Sequence, residues 1–216
     1  MEQAILKPWQ EKVIALVAGE KKMAGFYLTG GTALAAYYLR HRLSEDLDFF
    51  CFEEADNIFL HAFAEQIKTE IGAESLHYER LYDRSQYFFH VNKAEFKVEF
   101  SRYPFKQLGN SEIIGGLKID SFRDIAANKL MALIDRFDPK DFIDMFFILK
   151  KAKLADVRKD TELKFGMKID NVFIGGEFAK VKRVEALPKM VHPITKEELK
   201  MFFGELAKKL SPEIFK

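Results

Sequence analysis

The sequence has few of the features that place a protein outside the cell or in a membrane. Its 216 residues include one cysteine, Cys51, so an internal disulfide is excluded. The phenylalanines around Cys51 indicate a small buried hydrophobic residue without a redox role. No apolar run approaches the ~20 residues of a membrane-spanning helix, and the N-terminus lacks the charged-then-apolar pattern of a secretory signal. We therefore predict a cytoplasmic protein with no membrane partner.

The sequence also lacks internal repeats, low-complexity tracts and linkers rich in proline, glycine or serine. Any domain boundary is therefore expected to be a short turn. The apolar fraction is large, at 48%, and includes 22 phenylalanines. In a chain of this length such a composition is sufficient for a sizeable core, and it excludes a disordered protein.

The formal net charge is only +1, but the charges are unevenly distributed. Residues 1–150 contain 19 basic and 23 acidic side chains, whereas residues 151–216 contain 15 and 10. A basic C-terminal region could hold a polyanionic acceptor such as RNA by its phosphates. The alternative is a solvated, lysine-rich helical surface, which the charge distribution alone favours.

Hydrophobic periodicity predicts an α+β protein, with a mixed sheet in residues 26–101 and a helical C-terminal half from about residue 121. Asp56 is the predicted N-cap of the third helix, and Gly72 is its predicted stop. Residues 109–116 are predicted to form a polar loop. The predicted helices cover residues 8–23, 33–42, 57–71, 121–136 and 139–153, and the predicted strands cover residues 26–28, 46–52, 74–81, 86–91 and 95–101.

Asp46 and Asp48 form the first candidate site. Because residues two apart on a strand point to the same face, both carboxylates project together while Leu47 and Phe49 face the core. Their Cα atoms should lie about 6.6 Å apart, and from there two carboxylates can converge on divalent cations. Mg²⁺ prefers such hard oxygen ligands and offsets the repulsion between the two charges. A bare Asp-x-Asp is also common at solvated strand ends.

A glycine turn, Gly30-Gly31-Thr32, precedes the carboxylate pair and connects a predicted strand to a predicted helix. Glycine lets the backbone approach a ligand closely, and the N–H groups at a helix N-terminus bind phosphate. Thr32 adds a hydroxyl donor or caps the helix. The alternative is a tight turn that binds no ligand. Together, a phosphate-binding turn and metal-binding carboxylates predict an enzyme that acts on a nucleoside triphosphate.

A third candidate carboxylate follows from alternation along another strand. In residues 96–100 the three apolar side chains face one side, which leaves Lys97 and Glu99 on the other. If this strand lies beside residues 46–52, Glu99 could complete the metal site and serve as general base for the acceptor hydroxyl. An exposed charge beside Lys97 on an ordinary sheet is an equally good interpretation.

Two separated motifs follow one another along the chain. The first is Gly30-Gly31-Thr32-Ala33-Leu34 followed by Arg42-Leu43-Ser44-Glu45-Asp46-Leu47-Asp48, and the second is Ile125-Ala126-Ala127-Asn128-Lys129-Leu130 with Ala132-Leu133, then Arg136, then Lys140-Asp141-Phe142-Ile143-Asp144. Together they resemble the AbiEii/AbiGii-type abortive-infection nucleotidyltransferase toxins. Two motifs in this order are far more specific than either alone, although Gly-Gly-Thr departs from the Gly-Ser often found in the wider fold.

The resemblance implies a DNA polymerase β-like nucleotidyltransferase fold, dependence on Mg²⁺ or Mn²⁺, an NTP donor, and an antitoxin encoded with the toxin. It also implies tRNA ends as acceptors, as known among relatives. We accordingly predict a catalytic core over residues 1–120 and a helical region over residues 121–216 that completes the active-site cleft. By this resemblance the turn of Gly30, Gly31 and Thr32 binds phosphate, and Asp46 and Asp48 bind the metal. Lys129 contacts the nucleotide, and Asp144 is the last residue of the second motif.

Lys129 is a single lysine among apolar and small residues of its helix, and it could reach triphosphate oxygens as a point charge. Arg136 lies seven residues later on the same helix face and is a second candidate for phosphate binding. An alternative without catalysis is a salt-bridge network that joins Lys129 and Arg136 to Asp141 and Asp144.

The assigned residues predict attack of an acceptor hydroxyl on the α-phosphate of a bound NTP, with pyrophosphate as the leaving group. The predicted acceptor is an RNA end, such as that of tRNA. Two alternatives stay open. The same site could transfer the nucleotide to a small molecule or a protein, or the chain could be a non-catalytic module that binds a nucleotide or a partner.

Overall fold

The protein is described by a computed structural model that covers residues 4–210. The chain forms two compact units, one of residues 4–38, 44–106 and 110–121 and one of residues 39–43, 107–109 and 122–210. The first unit contains a mixed sheet with helices, and the second is mainly helical, so the predicted α+β class is confirmed. Residues 1–3 and 211–216, the ends of the two predicted regions, lie outside the described residues.

The first unit contains three α-helices and the seven strands of the sheet in its described residues. A 3-10 turn at Lys21–Met23 follows the first helix, and a π-helix at Leu34–Leu39 continues the second. The helices are α1 (Pro8–Gly19), α2 (Gly30–Ala33) and α3 (Asn57–Ile71), and the strands are β1 (Tyr27–Thr29), β2 (Leu47–Cys51), β3 (Ser75–Leu81), β4 (Arg84–Val91), β5 (Ala94–Arg102), β6 (Glu112–Ile114) and β7 (Leu117–Ile119).

The strands are ordered β3-β4-β5-β2-β1-β7-β6. β2 is parallel to β5 and antiparallel to β1, while β1 is parallel to β7 and the other pairs are antiparallel. The register places Asp48 of β2 between Thr29 of β1 and Glu99 of β5. The strand that carries Glu99 therefore lies directly beside the strand that carries Asp48, as the metal-site interpretation requires.

An aromatic core covers one face of this sheet. Phe100 of β5 contacts Phe49 of β2 and Phe63 of α3, with ring centroids 5.5 and 6.2 Å apart. Trp9 of α1 stacks on Phe96 at a centroid distance of 3.7 Å. Burying a phenylalanine side chain stabilises a fold by about 1.5–3 kcal/mol, so this face is held firmly. The opposite face carries Asp48 of β2, Gln86 of β4, and Lys97 and Glu99 of β5.

Cys51 lies at the end of β2 and is buried, as the sequence predicts. Burial raises the pKa of its thiol to about 11. A thiol with such a pKa carries almost no thiolate at neutral pH, which agrees with a packing role.

The second unit contains five α-helices in its described residues. Phe203 of the last helix contacts Phe142 and Phe178, with ring centroids 5.2 Å apart in each case. These contacts join three helices around one buried aromatic ring. The helices are α4 (Phe122–Asp135), α5 (Pro139–Leu149), α6 (Leu154–Phe165), α7 (Asn171–Ala179) and α8 (Lys196–Leu210), with a 3-10 turn at Lys180–Arg183.

Several predicted elements differ from the structure, and the helix predicted over residues 8–23 ends at Gly19. Residues 109–116, predicted as a loop, contain β6, because a strand of three residues is too short to show a two-residue period. The helix predicted over residues 33–42 begins at Gly30 and ends before Arg40, which has the left-handed φ of 52°. The helix predicted over residues 139–153 ends at Leu149.

No helix within residues 4–210 combines the length and the apolar composition that a bilayer span needs.

The predicted ends of α3 are confirmed. The Asp56 carboxylate accepts hydrogen bonds from the N–H groups of Ile58 and Phe59, at 3.0 and 3.2 Å. Gly72 ends the helix in the left-handed conformation, with φ of 69°. Local chemistry therefore fixes both ends of this helix.

Replacing Asp56 with alanine should lower the free energy of unfolding by about 1 kcal/mol, because two N–H groups of α3 lose their acceptor. Asp56→Asn should retain most of the stability, since asparagine caps helices about as well as aspartate. Urea denaturation of both variants measures the effect. Equal stability of Asp56→Ala and the wild type would show that this cap contributes nothing.

Candidate active site

The glycine turn lies against the carboxylate of Asp48. Gly30 directly follows β1 and has a φ of 71°, a conformation that favours glycine. A Cβ atom on Gly30 would lie 2.5 Å from Oδ2 of Asp48, which is too close for a non-bonded carbon and oxygen. Only glycine therefore allows the backbone of the turn and the carboxylate of β2 to approach this closely.

Two threonine hydroxyls hold the turn in place. Thr32 donates a short hydrogen bond to the carbonyl oxygen of Asp46, so its hydroxyl positions the start of β2. Thr29 donates to Oδ2 of Asp120 at 2.8 Å, and both side chains are buried. From the sequence, the Thr32 hydroxyl is predicted to bind phosphate or to cap the helix; in the structure it has this third partner.

Asp46 and Asp48 lie on the polar face of the sheet, at the start of β2. Leu47 and Phe49 are fully buried, whereas the Asp48 side chain is 24% exposed, so the predicted alternation is confirmed. Asp46 directly precedes the strand and is also partly exposed. Both carboxylates are thus oxygen donors that a solute can reach.

Glu99 lies beside Asp48 but in a different environment. Its side chain is 2% exposed and its two oxygens accept five hydrogen bonds. The donors are Arg84 (Nε 2.7 Å and Nη2 2.8 Å), Gln86 (2.8 Å), Lys97 (2.8 Å) and Ser101 (2.7 Å). Burial alone would raise the pKa of Glu99, but the bonds from Arg84 and Lys97 outweigh it and hold that pKa far below its usual range.

These contacts make Glu99 a poor general base, because a carboxylate with a strongly lowered pKa does not readily accept a proton. Its role as a metal ligand stays a prediction. Within residues 4–210, no three His, Cys, Asp or Glu side chains converge closely enough to hold a metal ion. The donor set that fits Mg²⁺ or Mn²⁺ here is the pair of partly exposed carboxylates of Asp46 and Asp48.

Lys97 connects the two carboxylates of neighbouring strands. Its Nζ atom lies 3.4 Å from Oδ1 of Asp48 and 2.8 Å from Oε2 of Glu99. Burial lowers the pKa of Lys97, but Asp48 and Glu99 outweigh burial and raise it above its usual value. The sequence placed Lys97 on the same strand face as Glu99, but alternation alone could not show that it reaches across to β2.

The second unit contains a separate buried cluster around Asp144. Its carboxylate is fully buried and accepts hydrogen bonds from Nε and Nη2 of Arg42, at 2.6 and 2.8 Å. His41 Nε2 lies 2.7 Å from Oδ1, and Lys129 Nζ lies 2.7 Å from Oδ2. Burial would raise the pKa of Asp144, but Lys129 and Arg42 hold it well below its usual range. Asp144 is therefore an ionised anchor for three side chains.

Lys129 is held by two carboxylates. Its Nζ atom lies 2.9 Å from Asp141 and 2.7 Å from Asp144, and 11% of its side chain is exposed. Asp141 also accepts a hydrogen bond from Arg136 at 3.1 Å, while 56% of the Arg136 side chain is exposed. The salt-bridge network considered from the sequence is thus present. It fixes these four residues, and nucleotide binding by Lys129 and Arg136 stays a prediction.

His41 and Arg42 are members of this cluster that the sequence analysis did not assign. Arg42 belongs to the first family motif, and its place in that motif could have identified it as a candidate. His41 carried no signal, because its burial and its contact with Asp144 depend on residues 103 positions apart. Long-range pairing of this kind is decided by the fold.

A mixed sheet with a glycine turn packed on an Asp-x-Asp strand, and a carboxylate on the next parallel strand, is the architecture of a nucleotidyltransferase. Comparison with known proteins agrees. The family described as nucleotidyl transferase AbiEii toxin, type IV toxin–antitoxin system, matches residues 15–215. The chain belongs to this family, which confirms the resemblance seen in its motifs.

Individual proteins resemble this chain in sequence or in fold. The uncharacterised protein aq_aa25 of Aquifex aeolicus (strain VF5) is 31% identical over 146 residues, which are 68% of each chain. A Helicobacter pylori structure provisionally assigned as a nucleotidyltransferase has a TM-score of 0.64 and 20% identity, over 94% of this chain and 91% of that chain. The H. pylori protein JHP933 has a TM-score of 0.60 and 19% identity, over 94% and 88%. At these identities the solved structures show a shared fold.

Gly30→Ala should lower the free energy of unfolding by roughly 1–3 kcal/mol, because alanine is strained at this φ and its Cβ would displace Asp48. Gly25→Ala is the matched control, since a Cβ there meets no atom within 4 Å. Chemical denaturation compares the two variants. Similar stabilities would contradict the close approach between the Gly30 turn and Asp48.

His41 should make the stability of the protein depend on pH. Burial holds the pKa of His41 below the usual 6.5, and this outweighs the opposite effect of Asp144. The unfolded chain therefore takes up a proton near pH 6.5 that the folded chain resists, and stability falls as the pH drops below that value.

Urea denaturation at pH 7.5 and 5.5 tests this effect. The unfolding free energy of His41→Gln should fall less over this range than that of the wild type, because glutamine does not titrate. The other histidines are common to both proteins and cancel in the comparison. An equal or larger fall for His41→Gln would show that His41 is not buried in its neutral form.

Proposed function

We propose that the protein transfers a nucleoside monophosphate from an NTP to an acceptor hydroxyl, with Mg²⁺ or Mn²⁺ held by Asp46 and Asp48. The observation that carries this proposal is the close approach of the Gly30 backbone to the Asp48 carboxylate. This approach leaves the backbone of the turn and two oxygen donors side by side on an accessible face. A bound metal would polarise the α-phosphate and neutralise its charge during the transfer.

Within this proposal the chain positions the reacting groups. The N–H groups that follow Gly30 and Gly31 hold phosphate oxygens, and Thr32 fixes the backbone of Asp46. The acceptor hydroxyl attacks the α-phosphate in line and gives its proton to solvent water, while the bond to pyrophosphate breaks and pyrophosphate leaves.

The buried cluster around Asp144 is part of this proposal because Lys129 and Asp144 belong to the second family motif. Lys129 neutralises charge on the triphosphate, and Arg136 adds an exposed guanidinium. Asp144 then acts as a positioning residue, since its buried carboxylate holds Lys129 together with Arg42. Removing Asp144 would leave three side chains without their common anchor.

The acceptor we propose is an RNA end, of the kind presented by tRNA. The excess of basic residues in 151–216, 15 against 10 acidic, supports a polyanionic acceptor. We further propose that the protein acts in the cytoplasm. As a member of a type IV toxin–antitoxin family the chain has an antitoxin partner, which we expect to be encoded nearby.

A label-transfer assay tests this function. Purified protein is incubated with total RNA, Mg²⁺ and each of the four α-³²P-labelled NTPs in turn, and RNA, protein and small molecules are separated. We expect labelled RNA with the wild type. Asp48→Asn should lower the transfer by at least ~100-fold, more than the usual cost of losing an outer-shell group at a metal site.

Asp83→Asn is the matched control, because Asp83 is an exposed aspartate of the same unit, in the turn before β4. It should label RNA like the wild type. Transfer that survives Asp48→Asn would refute the assigned site. Label on a protein or a small molecule would keep the enzyme class and replace the acceptor, and no label in any fraction would favour a non-catalytic binding module.

A further inference from the structure

Two carboxylates of neighbouring strands face each other on the polar side of the sheet. Asp48 and Glu99 are register partners on the parallel strands β2 and β5, whose backbones are about 4.8 Å apart. Two negative charges this close are costly unless a cation lies between them. The described side chains supply that cation, because Lys97 Nζ lies 3.4 Å from Asp48 and 2.8 Å from Glu99.

Lys97 reaches this place from the strand that carries Glu99. The two residues are two positions apart on β5, so their side chains share one face. The Lys97 side chain is 17% exposed, so the protein largely encloses its stem. Its charged end is thus directed to the gap between the two carboxylates by the strand itself.

Glu99 has no capacity left for a further cation. Two carboxylate oxygens offer about four lone-pair positions, and five hydrogen bonds already converge on them. Arg84 binds both oxygens in a bidentate fork, which is the strongest arrangement available to this pair. A divalent ion could reach Glu99 only by displacing one of these donors.

We propose that Lys97 is a positioning residue that takes the place of a second divalent cation in this site. Glu99 then anchors Lys97 and Arg84 and is not a third metal ligand. Asp46 and Asp48 bind one divalent ion before the nucleotide arrives. This inference rests on the proposed metal-dependent function and deepens it.

Mn²⁺ binding tests the inference independently of activity. The electron paramagnetic resonance signal of free Mn²⁺ is followed during titration of the full chain without nucleotide. The wild type should bind one ion. Lys97→Met removes the charge but keeps most of the side-chain length, so Mn²⁺ should bind on the order of tenfold more tightly, or at a second site.

Three variants make the result specific. Lys97→Arg keeps the charge and should bind Mn²⁺ like the wild type. Lys93→Met removes a lysine from the exposed turn before β5 and should also leave binding unchanged. The double variant of Lys97→Met and Glu99→Gln should lose the gain, because that gain requires the carboxylate of Glu99.

Two outcomes overturn the inference. One is Lys97→Met that binds Mn²⁺ with the number and affinity of the wild type while its thermal unfolding shows it is folded. The other is a gain that persists in the double variant, which would assign it to net charge alone. The Asp48→Asn variant distinguishes a failure of this inference from a failure of the proposed function. If Asp48→Asn binds Mn²⁺ as well as the wild type, the metal site itself is wrong.

Discussion

The contact between the Gly30 backbone and the Asp48 carboxylate is the constraint on which the site depends. It requires a residue without a Cβ at the end of β1, in a left-handed conformation, and a carboxylate at the facing position of β2. The antiparallel register of these strands places Asp48 opposite Thr29, so the turn necessarily begins at the carboxylate. The hydroxyl of Thr32 then binds the carbonyl oxygen of Asp46, so the glycine turn and the Asp pair are held together.

Burial separates two groups of carboxylates in this structure. Glu99, Asp124 and Asp144 are buried, and each is bound by a lysine, with arginine added for Glu99 and Asp144. A buried charge is tolerated only with such partners, and removing one partner is strongly destabilising. Asp46 and Asp48 stay partly exposed on the polar face. Solvent access thus distinguishes these two carboxylates from the buried ones.

Several features could be predicted because they depend on local sequence. Asp56 and Gly72 bound α3 through caps that involve residues within one helical turn. The alternation around Asp46 and Asp48 requires only the two-residue period of a strand. The Gly-Gly-Thr turn and the lysine and aspartate motifs were specific enough in combination to indicate the AbiEii family, which the match over residues 15–215 confirms.

The chain sequence by itself therefore determined the fold class, the family and the position of the glycine turn and the Asp pair. It did not determine the partners of each charged side chain. The contact of Glu99 with Arg84 depends on the pairing of β4 with β5, and the contact of His41 with Asp144 joins residues 103 positions apart. Tertiary structure alone decided these contacts, because hydrogen bonds between distant segments form only after the backbone has brought their strands and helices together.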